Sequence, residues 1–338
     1  MKISLDGGAL CTDRNRHFGN YTFSQNLIEA IQKYDHENEY LVYSFCPKPD
    51  WLALDKKIRY KVLRPRALWL STRVSVEEIR EKKDVFLALN QAVPLASRSQ
   101  IVSFSHGLSF YHYHQFYPDS YHALKDELGS MVRKSRYIVV ASRLVKAELE
   151  KLYPAYKHFV TINYGVPFDM LKSEAGSRKK YFLFVGMNHR IKNIEFLLRA
   201  YRKFRKNKKF QDYKFYLVGD LKEFEDMESG IFSYPNITRE ALRKLYSGAT
   251  AYLTASFYES FNFPVLEALT QSCPVISLSS AIIPEFKEFV SLAYDLTDFT
   301  AQMIDVSERR KVKMRRDEIL KRFSWKKYIT KLKELYPS

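Results

Sequence analysis

The chain has 338 residues, 46% of them apolar, too many for one ordinary core and suited to two domains of about 150 residues each. Its three cysteines, Cys11, Cys46 and Cys273, have no CxxC spacing, which argues against a disulfide framework or zinc ribbon and favours a reducing compartment. The formal charge is +17, yet no zinc-finger, RNP-type or KH signature accompanies it, so nucleic acid ranks below a solvated face or an anionic membrane surface.

Short apolar runs alternate with amphipathic periods, the pattern of parallel α/β domains. Residues 1–6 read as a strand and lack the long apolar stretch of a signal peptide. No run of about 18 apolar residues marks a membrane span. A polar loop extends to Asn20, and a helix then runs to Tyr34 with Phe23, Leu27, Ile28 and Ile31 on one face. Strands are expected at 39–45, 59–63, 84–89, 101–105 and 136–141, and Ser142 caps a helix that reaches Leu152. Residues 169–180 are polar without an apolar period and read as a linker. The pattern then restarts. Strands are expected at 181–186, 214–220, 251–254 and 274–277, with helices at 193–204, 238–247 and 264–270 and a basic terminal helix interrupted at Phe323-Ser324-Trp325.

Four loops carry candidate chemistry. In Glu259-Ser260-Phe261-Asn262-Phe263-Pro264-Val265-Leu266-Glu267 a strand leads into a helix, with Pro264 suited to its first turn. Backbone amides of Phe261, Asn262 and Phe263 would then lie at the positive end of the helix dipole, where a phosphate binds. Glu267 has reach for a ribose hydroxyl pair, and Glu259 faces a bound sugar. An ordinary strand–loop–helix with two surface glutamates explains the spacing as well. In the loop from Gly186 to Asn193, Lys192 can neutralise a diphosphate and Arg190 adds a second charge, and a solvated basic loop is the alternative. His106 follows the strand at 101–105, at the edge where parallel sheets bind ligands, and a satisfied polar residue is the alternative for a lone histidine. Gly19 and Asn20 lie in the loop after the first strand, where glycine permits close backbone approach. His112 and His114 lack a neighbouring Cys, Asp or Glu to complete a zinc set. There is no Asp-x-Asp pair, which disfavours a donor site built on a divalent cation.

Together and in this order, these segments resemble retaining glycosyltransferases of family 4, in particular its mannosyltransferase-like group. Glu259 and Glu267 match the Glu-x7-Glu pattern, and Val185-Gly186 with Lys192-Asn193 match the Val-Gly-x5-Lys-Asn loop. Leu266-Glu267-Ala268, Pro274-Val275-Ile276, Pro284-Glu285, Ser105-His106-Gly107-Leu108 and Phe323-Ser324-Trp325 complete the likeness. The resemblance implies an α/β protein of GT-B architecture, with two Rossmann-like domains of parallel sheets facing across a cleft. An N-terminal acceptor-side domain (1–168), the linker (169–180), a nucleotide-sugar domain (181–318) and a terminal helix returning to the first domain (319–338) follow from it.

The resemblance further implies a metal-independent, cofactor-free transfer of a hexose to a glycan or lipid-linked acceptor in surface polysaccharide assembly, with GDP-mannose ahead of UDP-glucose as donor. Lys192 holds the diphosphate, Glu267 the ribose, Glu259 faces the sugar, His106 sits at the reaction centre, and Gly19 and Asn20 line the acceptor side. The implied location is cytoplasmic, docked on the inner membrane face by basic charge. Met187 stands in place of a common arginine, Asn262 in place of a glycine and Gly107 in place of an acidic residue. A sugar-nucleotide epimerase and a non-catalytic partner subunit or polyanion binder are the competing readings.

Overall fold

The computed structural model describes residues 1–12, 19–174, 176–309 and 315–337. The chain forms two compact units, one of Met1–Gly165 with Ser324–Ser338 and the other of Val166–Phe323.

Unit 1 is built on strands β1 (Lys2–Asp6), β2 (Glu39–Ser44), β3 (Ile58–Val62), β4 (Val85–Ala88), β5 (Gln100–Ser105), β6 (Tyr137–Val140) and β7 (Phe159–Thr161). Its helices are α1 (Gly19–Tyr34), α2 (Ser75–Arg80), α3 (Ser109–His112), α4 (Tyr121–Lys134) and α5 (Arg143–Leu152). The sheet order is β3-β2-β1-β4-β5-β6-β7, and every pairing is parallel. Strands such as β4 are buried along their whole length, as helices on both faces of a parallel sheet require. Helix α1 buries Phe23, Leu27, Ile28 and Ile31, the face read from its period. It begins at Gly19, so both Gly19 and Asn20, expected in the loop, are helical, and Arg16, His17 and Phe18 of that loop lie outside the described residues. Ser142 Oγ accepts from Val145 N at 3.4 Å and so caps α5.

Unit 2 repeats the plan with β8 (Tyr181–Val185), α6 (Ile194–Arg205), β9 (Lys214–Val218), β10 (Ile231–Tyr234), α7 (Arg239–Gly248), β11 (Ala251–Thr254), α8 (Phe263–Thr270), β12 (Val275–Leu278), β13 (Ser291–Ala293), α9 (Leu296–Glu308) and α10 (Arg316–Arg322). Its parallel sheet runs β10-β9-β8-β11-β12-β13. Helices α6 and α9 cover one face through Leu197, Tyr201, Phe204, Phe299 and Met303. Residues 169–174, expected as linker, are strapped to α7 and α8. Gln271 Nε2 donates to the Met170 and Lys172 carbonyls, and Arg243 pairs with Glu174 at 3.0 Å.

Helix α11 (Trp325–Lys333) belongs to unit 1 and packs on α1, while Phe323 stays in unit 2 against Phe286. The cysteine reading needs correction. Cys11 and Cys46 form a disulfide, with Cα atoms 5.5 Å apart. The parallel β1–β2 pair aligns the loops after both strands, which joins cysteines 35 residues apart that spacing left unconnected. Cys273 is free and buried.

Candidate functional site

In an open parallel sheet, ligands bind beyond the carboxyl ends of the strands where the strand order reverses. In unit 2 that point lies between β8 and β11, whose following loops are residues 186–193 and 255–262.

Three interactions join these loops. Asn193 Nδ2 donates to the Ala255 carbonyl at 3.1 Å, and Phe257 N donates to the Ile191 carbonyl at 2.9 Å. Lys192 Nζ meets Glu259 Oε1 at 2.7 Å, and Ser256 Oγ donates to the same oxygen at 2.6 Å. Asn193 adopts a left-handed conformation (φ 51°), which turns the chain from this loop into α6. Arg190 lies exposed on the short 3₁₀ turn that carries Lys192.

The second loop ends in α8. Asn262 is left-handed too (φ 70°), and its side chain accepts from Val265 N at 3.4 Å, capping the helix. Asparagine tolerates this conformation better than other residues with a Cβ, which is why it can stand where the resemblance places glycine. Phe261 and Phe263 are buried, with the Phe261 ring packed on Phe263 and Phe286.

Neither glutamate is on the surface: Glu259 is 8% and Glu267 3% exposed, which removes the reading of two surface carboxylates. Each oxygen of Glu267 already accepts one hydrogen bond and keeps a further lone pair. Arg239 Nη2 donates to its Oε1 at 2.6 Å and Tyr246 OH donates to its Oε2 at 3.1 Å. Arg239 also grips Asp169 in a fork, at 2.7 and 3.0 Å. Burial raises the Glu267 pKa, and the Arg239 charge pulls it partly back. Sequence reasoning missed Arg239, Tyr246 and Ser256. Arg239 and Glu267 stand 28 positions apart on different helices, and no local period links them.

In unit 1, His106 follows β5. Its Nε2 lies 2.5 Å from the Leu89 carbonyl and its Nδ1 3.0 Å from Tyr164 OH. Since a carbonyl only accepts, Nε2 carries the proton and Tyr164 donates to Nδ1. Burial lowers the pKa of the ring and keeps it neutral. Phe23 and Tyr164 wall it in, with Trp325 and Tyr328 of α11 packed behind them. Gly107 has φ 112°, a conformation costly for any residue with a Cβ, which accounts for glycine at this position. Gly19 and Asn20 lie exposed in the first turn of α1. Thus Lys192, Asn193, Glu259 and Asn262 converge at the unit 2 switch point, Glu267 is held by Arg239, and His106, Gly19 and Asn20 belong to unit 1. Among the described residues, no group of three or more His, Cys, Asp or Glu is placed to hold a metal ion, and no helix is long and apolar enough to cross a membrane.

Residues 179–308 match the family model of glycosyl transferases group 1. The chain is 24% identical over 310 residues to O-antigen chain mannosyltransferase B of Escherichia coli, covering 82% of this chain and 78% of that one. Among solved structures, sucrose-phosphate synthase from Thermosynechococcus elongatus superposes with a TM-score of 0.75 at 16% identity, covering 99% of this chain and 98% of that one. Anabaena HepE in complex with UDP-glucose also superposes at 0.75, with 14% identity and the same coverage of each chain.

Proposed function

We propose that this chain, a glycosyltransferase of group 1 with the GT-B fold, moves a hexose from a nucleotide-sugar to a glycan or lipid-linked acceptor, retaining the anomeric configuration and requiring no metal. The observation that carries the reading is the Lys192–Glu259 pair at the β8–β11 switch point. An arriving diphosphate competes for Lys192 and releases Glu259 to face the sugar. Lys192 then offsets the negative charge that builds on the leaving group, with exposed Arg190 as a second cation. Departure of the nucleoside diphosphate leaves an oxocarbenium-like sugar, and the acceptor hydroxyl attacks it from the same face, its proton passing to the departing diphosphate oxygen.

Glu267 accepts the ribose hydroxyls, with Arg239 keeping it ionised and oriented. Amides around Asn262 and Phe263 at the start of α8 supply the phosphate end of the site. His106, neutral and pinned by Leu89, is the catalytic group of unit 1. The exposed amides of Gly19 and Asn20 lie at the positive end of the 16-residue helix α1, on the acceptor or phosphate side. GDP-mannose is the first donor to test, ahead of UDP-glucose, in line with the E. coli relative's name. We place the reaction in surface polysaccharide assembly at the cytoplasmic face of a membrane, with the +17 charge attracting anionic lipid.

The two glutamates separate in kinetics. Glu267→Ala is expected to weaken nucleotide binding about tenfold, because a charged pair of hydrogen bonds is lost. Glu259→Ala is expected to lower turnover about 100-fold or more while sparing nucleotide affinity. Steady-state kinetics with GDP-mannose, together with the product's anomeric configuration by NMR, reads both. Wild-type rates in both variants, or an inverted product, contradict the assignment.

A further inference from the structure

The strap near the start of unit 2 is held by its backbone. The successive carbonyls of Asp169, Met170, Leu171 and Lys172 accept from Arg243 Nη1, Gln271 Nε2, Arg316 Nη2 and again Gln271 Nε2, at 2.8, 2.7, 2.6 and 3.0 Å. Beyond one 3₁₀ turn at Phe168–Met170, residues 171–174 form no helix or strand, so side chains of α7, α10 and the end of α8 supply the order. Asp169 is thereby fixed in place without help from its own carboxylate.

That carboxylate grips Arg239. Nε and Nη2 of the guanidinium donate to its two oxygens at 2.7 and 3.0 Å, and Nη2 has a second hydrogen for Glu267 Oε1, 2.6 Å away. A fork of this kind fixes the plane of a guanidinium as well as its position. A lone ion pair as exposed as Asp169 and Arg239 contributes little. Here the same cation also serves a buried carboxylate of the donor site. Arg239 is moreover the first residue of α7, after the cap Thr238, where the helix dipole disfavours a cation. The two carboxylates offset that cost.

The groups facing Glu267 are Arg239 and Tyr246 from α7, Asp169 from the strap and Tyr252 from β11. Glu259 also acts on Tyr252, and Lys192 neutralises it from 2.7 Å. Burial raises the Glu267 pKa, the Arg239 charge lowers it, and the Asp169 charge raises it again.

We propose that Asp169 is a positioning residue of the donor site: its fork sets the plane in which Arg239 presents a hydrogen to Glu267, and so fixes the carboxylate that receives the ribose. The role rests on the reading of Glu267 as ribose acceptor given above. Two consequences follow from acting through Arg239. Loss of the fork costs affinity only for a ligand that has ribose hydroxyls to place. Loss of the Asp169 charge alone leaves Arg239 to Glu267, so the Glu267 pKa falls and nucleotide affinity persists to lower pH. Removal of Arg239 itself shifts that pKa the opposite way.

The test is calorimetric titration of the full chain with GDP, UDP and ADP, and with their dideoxy forms lacking both ribose hydroxyls, from pH 5 to pH 8. For the nucleotide that binds, Asp169→Ala is expected to lose about fivefold in affinity at the upper pH, and its dideoxy form to lose none. Asp169→Asn retains one acceptor and the side-chain volume; it is expected to lose about twofold there and to keep its affinity to lower pH than the wild type. A carboxyl-carbon NMR titration of Glu267, identified by its loss in Glu267→Gln, should show the same downward shift in Asp169→Asn without any nucleotide. Circular dichroism and thermal melts verify that the variants fold. Equal losses for ribose and dideoxy forms, no loss in Asp169→Ala, or a Glu267 titration unmoved in Asp169→Asn overturns the proposal and leaves the donor site standing. A wild type that binds no nucleotide overturns the donor reading itself, and the positioning role with it.

Discussion

At the scale of single residues, the arrangement turns on which charges are already satisfied. Glu267 is buried and would favour its neutral form, but Arg239 holds it against that tendency from 2.6 Å. Removing the guanidinium raises the Glu267 pKa further. An ionised carboxylate accepts ribose hydroxyls, so nucleotide affinity falls as pH drops through that pKa. In Arg239→Ala the fall is expected at higher pH than in the wild type, with affinity at neutral pH down about tenfold. A flat profile in Glu267→Ala is the control. The stability sign follows the same logic: a carboxyl raised above its unfolded pKa costs stability as pH rises through the folded value, so the variant should gain relative stability on acidification. Titrations of GDP binding from pH 5 to pH 8, paired with thermal melts, test both, and a pH profile unchanged in Arg239→Ala contradicts this role.

At the scale of elements, α8 depends on its cap. Asn262 supplies both the left-handed turn and the acceptor for Val265 N, and its Nδ2 reaches the Ala281 carbonyl at 3.3 Å. Asn262→Ala is expected to cost about 1–2 kcal/mol through the lost cap and strained φ, whereas Asn262→Gly recovers most of it by relieving the backbone. The midpoint of urea unfolding measures this, and equal loss in both variants would put the cost in the side-chain hydrogen bonds alone. The central strands and the helices α1, α5, α6 and α7 were legible because apolar period and caps such as Ser142 and Thr238 are local signals. Helix α4 was not, since only Leu128 and Met131 of its 14 residues are buried and no apolar stripe emerges. Strands β7 and β13 are three residues each, too short for a period to register.

At the scale of the whole molecule, the sequence carried the two-fold restart of the α/β pattern, and the structure returns it as two parallel sheets with matching reversal points. Lys192 and Glu259 were legible as separate candidates. Their pairing was not, because they stand 67 positions apart with a switch in strand order between them. The Cys11–Cys46 bond was hidden for the same reason: it arises where the parallel β1–β2 pair aligns distant loops. The +17 charge belongs to this scale too. If it draws the protein to anionic lipid, flotation with phosphatidylglycerol vesicles should fall steeply between about 50 and 500 mM salt as screening sets in, and be absent with neutral vesicles. Flotation indifferent to both would assign the charge to solvation alone.

The central claim is a donor site at the β8–β11 switch point, and a binding titration tests it most directly. Purified protein is titrated with GDP, UDP, ADP and their common sugar conjugates in the presence of a chelator, alongside Lys192→Ala. The account predicts selective micromolar binding of one nucleotide, lost in the variant. A folded chain that binds none of them, or binds one equally well without Lys192, contradicts it.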